Sequence, residues 1–158
     1  AAQQEDVMRQ RRRARRRTPP LFELVGPRLG CRREAVAALR LSAKDEGLES
    51  IVVLICDRER RIVLATEFED APASGVATLV DLVLRAVPPG SRLVIGLFRG
   101  ERGAGEVQLD RLELEAVDDA LRSCRRCDVE LVDVLVLCGS EAVESVAGSG
   151  YEVDNGHR

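Results

Sequence analysis

A chain of 158 residues has room for one ordinary domain and a tail. It is 45% apolar but only 3% aromatic, without Trp, so its core has to be built from Val, Leu, Ile and Ala. No apolar run approaches transmembrane length, and the net charge of −3 excludes a uniformly basic body of the kind that coats nucleic acid.

That net charge is unevenly spread. Residues 1–20 hold Arg9, Arg11, Arg12, Arg13, Arg15, Arg16 and Arg17 against Glu5 and Asp6, a balance of +5 that leaves −8 on the remainder. The arm carries no apolar stripe, so by itself it is expected to be disordered or frayed (residues 1–20), and Thr18-Pro19-Pro20 closes it where a signal peptide would need an apolar stretch. Residues 21–47 read as a lead-in with one short helix over residues 34–40. The continuous apolar run Ile51-Val52-Val53-Leu54-Ile55-Cys56 predicts a strand buried on both faces. The turn Asp57-Arg58-Glu59-Arg60 then folds a second strand, residues 61–68, back as a hairpin.

Ser74 is the expected N-cap of a helix reaching Val87, with Val76, Leu79, Val80, Val83, Leu84 and Val87 on one face and Pro88-Pro89-Gly90 as its stop. A third strand follows at residues 92–98, then a glycine-bearing loop at 99–106 and a long helix from Leu109 to about Cys127. Residues 129–138 predict a fourth strand interrupted by Asp133, and residues 141–146 fit a last strand or a helical turn equally. Residues 152–158 read as a polar tail. The predicted order is β-β-α-β-α-β with room for one more strand. The fold class is therefore α/β (α+β), a mixed sheet with an antiparallel hairpin and helical crossovers.

The segment from Leu97 to Asp110 carries the functional argument. Leu97-x-Arg99-x(7)-Val107-x-x-Asp110 has the spacing of H-x-H-x(7)-S-x-x-D, the signature of RadC-like members of the JAB/MPN family. Leu93-Val94-Ile95-Gly96 resembles the strand that leads into that signature, and Leu131-Val132-Asp133-Val134 resembles the family's L-x-D-H strand with Val134 in place of the His. Residues 48–151 thus resemble a JAB/MPN domain, which implies a cytidine deaminase-like architecture. In the family two imidazoles and a carboxylate hold a zinc whose bound water is activated, and a glutamate from an earlier strand is the base. Here the matching positions are Glu67, Leu97, Arg99, Val107 and Asp110. Leu97 cannot ligate, Arg99 has no lone pair to offer, Val107 lacks the hydroxyl, and the chain's one His is His157, in the tail. The resemblance therefore implies a pseudoenzyme with no catalytic residues, no metal and no cofactor, acting as a protein-binding or scaffold module, with a homodimer as a further expectation. Arg99 beside Asp110 is expected to replace the charge of the lost metal.

Other signals are weaker. Cys124-Arg125-Arg126-Cys127 has C-x-x-C spacing but closes a helix instead of opening one, so it reads as two helix-end thiols, one packed on the sheet. Glu67, Glu69 and Asp70 read as solvated charge. Gly100, Gly103 and Gly105 lack the strand–loop–helix grammar of a phosphate loop, and Glu101 and Glu106 oppose an anion. The arginines at positions 9–17 can neutralise phosphates, which makes nucleic-acid association the second functional reading; without interleaved aromatics they offer no base stacking. A third reading is an enzyme of another kind using Asp110, Arg99 and Glu67. Membrane binding is not expected of an arm without an apolar face. Five Cys and no secretory signal predict reduced thiols and a cytoplasmic protein.

Overall fold

The computed structural model describes residues 26–100, 107–139, 142–148 and 150–151. The arginine arm, the loop residues 101–106 with Gly103 and Gly105, and the tail expected at 152–158 lie outside the described residues. Within them the chain forms α1 (Arg32–Ser42), β1 (Ser50–Cys56), β2 (Ile62–Glu69), a 3-10 turn (Ala73–Gly75), α2 (Val76–Leu84), β3 (Arg92–Phe98), α3 (Arg111–Arg126), β4 (Glu130–Cys138) and β5 (Ala142–Ala147). Of the segment that periodicity left open at 141–146, residues 142–146 belong to a strand.

The five strands make one mixed sheet in the order β2-β1-β3-β4-β5. β1 is antiparallel to both β2 and β3, β3 and β4 run parallel, and β5 returns antiparallel to β4. The hairpin turn is set by Asp57, whose Oδ1 accepts the N–H groups of Glu59 at 2.8 Å and Arg61 at 3.0 Å. Every residue of β1 is buried, as its unbroken apolar run requires.

Strand alternation sends side chains to two cores. On one face Ile51, Val53, Ile55, Leu93, Ile95 and Leu97 meet Val76, Val80 and Val83 of α2 and Ala116, Val117 and Ala120 of α3. On the other, Val52, Leu54, Val94, Phe98, Leu135 and Leu137 meet Leu29 and the α1 residues Ala35, Ala38 and Leu39. The lead-in helix is therefore the third layer of a helix–sheet–helix stack. It lies close to the sheet because Gly96 leaves room for Leu39; a Cβ at Gly96 would come within 2.9 Å of the Leu39 side chain.

The second helix differs from its expected bounds. Ser74 lies inside the 3-10 turn, the α-helical N-cap is Gly75, and no side chain caps the helix. The α-helix also ends at Leu84 and does not reach Val87. Pro88 limits the helix, because it has no N–H for the Leu84 carbonyl, its ring would clash with that carbonyl, and it drives Val87 out of the α region. No helix among the described residues is long and apolar enough to cross a membrane.

Candidate functional site

The strand β3 delivers Leu97 and Arg99 to the α2/α3 side of the sheet. Leu97 is 1% exposed and belongs to that core. Val107 packs half-buried against the same cluster. Arg99 lies just past the end of β3, fixed through its backbone N–H to the Leu137 carbonyl at 2.9 Å. Its guanidinium bonds the Glu113 carboxylate, and both side chains are largely buried.

Asp110 does different work from that expected. It is the N-cap of α3: its Oδ1 accepts the Glu113 N–H at 2.9 Å, and the Glu113 Oε1 accepts the Asp110 N–H at 2.9 Å. This reciprocal capping box satisfies two backbone donors at the helix start. The expected direct exchange of metal charge for an Arg99–Asp110 contact is thus corrected. The carboxylate that meets Arg99 is Glu113, and Asp110 acts on it only through space. The Arg99 guanidinium is held charged, its pKa raised above the ordinary value, first by the hydrogen bond it donates to Glu113. Burial works against this, while Glu113, Glu49 and Asp110 add electrostatic support. Glu113 escaped the sequence reading although D-x-x-E at 110–113 is a capping signature.

Glu67 does not join this group. It pairs with Val52, whose side chain lies in the α1-side core, whereas Leu97 pairs with Ile51 on the α2/α3 side. Cross-strand partners share a face, so Glu67 points away from Leu97, Arg99 and Asp110. The constellation Asp110, Arg99 and Glu67 expected for a different enzyme does not assemble.

Glu67 instead lines a pocket of about 300 Å³ on the α1 side, beneath the 44–49 loop. Asp45, Glu49, Glu69 and Asp70 add four more carboxylates, and Lys44 supplies the single cation among the described residues. Glu67 Oε2 accepts the Lys44 backbone N–H at 3.0 Å, and Lys44 Nζ lies 3.4 Å from Glu69 Oε1. Asp45 Oδ1 holds the turn through the Gly47 N–H at 2.8 Å. Leu48, 53% exposed, forms an apolar wall, and Ser50 is 2% exposed with an Oγ that has no hydrogen-bond partner among the described residues. Gly100 brings the end of β3 against this loop, where a Cβ would come within 3.0 Å of the Gly47 carbonyl oxygen. The acidic residues expected to be plain solvated charge thus form one wall of a concavity.

A third polar group lies deeper on the α1 side. β4 shifts register between the pairs Leu93–Leu131 and Val94–Asp133, and the extra residue leaves Val132 and Asp133 both on that side. Asp133 is 2% exposed. It accepts hydrogen bonds from Ser145 Oγ and from the Tyr151 hydroxyl, the latter at 2.9 Å, and Arg32 Nε lies 3.8 Å away. The Tyr151 hydroxyl is held protonated, its pKa pushed up by burial first and by Asp133 next. The buried guanidinium of Arg60 lies 5.9 Å from the centre of the Tyr151 ring.

The C-x-x-C pair divides as the helix-end position implies. Cys124 is fully buried, its thiol pushed up to about 12 mainly by desolvation, and Cys127 is exposed. Among the described residues no three His, Cys, Asp or Glu side chains converge in a group able to hold a metal ion.

No protein-family model matches the sequence, and no curated protein matches it significantly.

Proposed function

We propose that the chain is a binding or scaffold module on a RadC-like JAB/MPN body in which a structural ion pair stands where the family holds its metal. The observation that supports this is the occupation of the signature positions. Leu97 is core, Val107 is packed, Asp110 caps α3, and Arg99 is tied to Glu113. Each performs a task that stabilises the fold, and the fixed guanidinium of Arg99 would repel a dication at close range. The element order α-β-β-α-β-α-β-β accommodates the strand–loop–helix frame on which the signature spacing was read.

Calorimetric titration of the full chain with Zn²⁺ tests the metal part: no saturable heat is expected, and stoichiometric binding that Asp110→Ala removes would overturn it. The binding role is tested by capture of a protein partner whose retention survives Asp110→Asn but is lost on changing an exposed apolar residue such as Leu112, which is 67% exposed on α3.

A second reading is nucleic-acid association through Arg9–Arg17 side chains, favoured by seven guanidiniums within nine positions. A gel shift at rising salt compares the natural chain with one in which all seven are Gln. Equal binding by the two removes the arm from this reading.

A further inference from the structure

The pocket and the arm have complementary charge, and we propose that the acidic pocket beneath the 44–49 loop is the docking site for this chain's own arginine arm. The proposal stands apart from the reading above, because it concerns the pocket on the α1 side of the sheet and shares with that reading only Glu67 and the charge of Glu49, which also acts on Arg99.

Three observations carry it. The first is the charge. Among the described residues, five carboxylates face one ammonium around the pocket, while residues 1–20 carry +5. A guanidinium presents a planar fork of donors suited to carboxylates, and its methylene stem covers apolar surface such as Leu48.

The second is an unmet acceptor. The Ser50 hydroxyl is buried at the pocket lining without a partner among the described residues, a costly state for a polar group, and an incoming N–H would relieve it. The volume of about 300 Å³ lies at the lower end for ligand pockets, a size for side chains and not for a folded element.

The third is reach. Pro27 is fastened at the start of β2, where its carbonyl accepts the Ile62 N–H at 3.2 Å. The pocket carboxylates Glu67 and Glu69 lie near the other end of the same strand, so the gap is about 17–24 Å at roughly 3.4 Å per residue. Ten residue steps separate Pro27 from Arg17, and an extended chain covers about 33 Å in that distance. Arg17 can therefore reach the pocket of its own molecule, and Arg15 and Arg16 can do so with slack. A tether this short gives an effective concentration in the millimolar range, so a weak contact is enough.

Docked there, the arm is withheld from phosphates, and whatever occupies the pocket releases it. The test is limited trypsin digestion of the full chain at low ionic strength, following cleavage after Arg9 to Arg17 relative to cleavage after Arg125 and Arg126. The comparison chain is Glu49→Gln/Glu69→Gln, which removes two pocket charges without touching the Glu67 bond to the loop backbone. Several-fold faster arm cleavage in the variant, with the two chains converging in high salt, supports the proposal. Equal rates in both chains at low salt overturn it. Protection that disappears on tenfold dilution also overturns it, since the arm would then be held by a second copy. So does protection that appears only when a DNA duplex is added. Should the variant fail to fold, the natural chain decides: arm cleavage that does not accelerate with salt relative to the internal sites refutes docking.

Discussion

At the scale of single residues, the Arg99–Glu113 pair ties the end of β3 to the first turn of α3. Glu113 has two tasks at once, since one carboxylate oxygen caps the Asp110 N–H and the other meets Arg99. Arg99→Met leaves Glu113 largely buried and without its cation. The expected loss is toward the lower end of the roughly 3–5 kcal/mol seen when one partner of a buried pair is removed. Adding Glu113→Gln should recover most of it, because the amide oxygen still caps the helix and no charge is stranded. Denaturant unfolding of the two single variants and the double gives the coupling directly, and additivity within about 0.5 kcal/mol would show that the pair is incidental. Tyr151→Phe probes the other buried carboxylate. It keeps the ring beneath Arg60 but deletes the hydroxyl that serves Asp133, a loss expected to be about 1–3 kcal/mol. An unchanged melting temperature would mean that the contact contributes nothing.

At the scale of elements, much of the architecture is written in local pattern. The runs of β1 and β3 are apolar because both faces of the sheet are covered, and the glycine at position 96 sits beneath Leu39 of α1. Gly96→Ala should therefore push on Leu39 and cost about 1–3 kcal/mol by overpacking, although alanine suits a strand better than glycine. Leu39→Val in the same chain should return part of that loss, and a Gly96→Ala chain as stable as its parent would show that α1 shifts freely on the sheet. Register is what local pattern does not carry. Glu67 and Leu97 look equally able to face one cleft until the pairings Val52–Glu67 and Ile51–Leu97 are known, and these put them on opposite sides. Likewise Ser74 has the chemistry of an N-cap, but the 3-10 turn before α2 takes it out of that position. Tyr151 meets Asp133 across 18 positions, at a shift of register in β4 that no propensity announces.

At the scale of the whole molecule, both cores hide a thiol, and this makes the fold sensitive to alkali. Cys56 lies on the α1 side and Cys124 on the α2/α3 side, and burial raises each from an ordinary 9.0 to about 12. In the unfolded chain both ionise near pH 9; in the folded chain they stay protonated. Above that pH the folded state binds more protons than the unfolded one, so stability falls as pH rises. The contribution is complete below pH 9 and is lost progressively toward pH 12, at about 1.4 kcal/mol per pH unit for each thiol. Tyr151, raised in the same direction, steepens the fall at the upper end. Cys124→Ala should lower stability throughout by leaving a small cavity, yet flatten the alkaline limb by one proton's worth. Denaturant midpoints of the natural and variant chains from pH 7 to 11 check this. The two curves should converge as pH rises, and curves that stay parallel would mean that the Cys124 thiol ionises as readily in the folded protein as in the unfolded one.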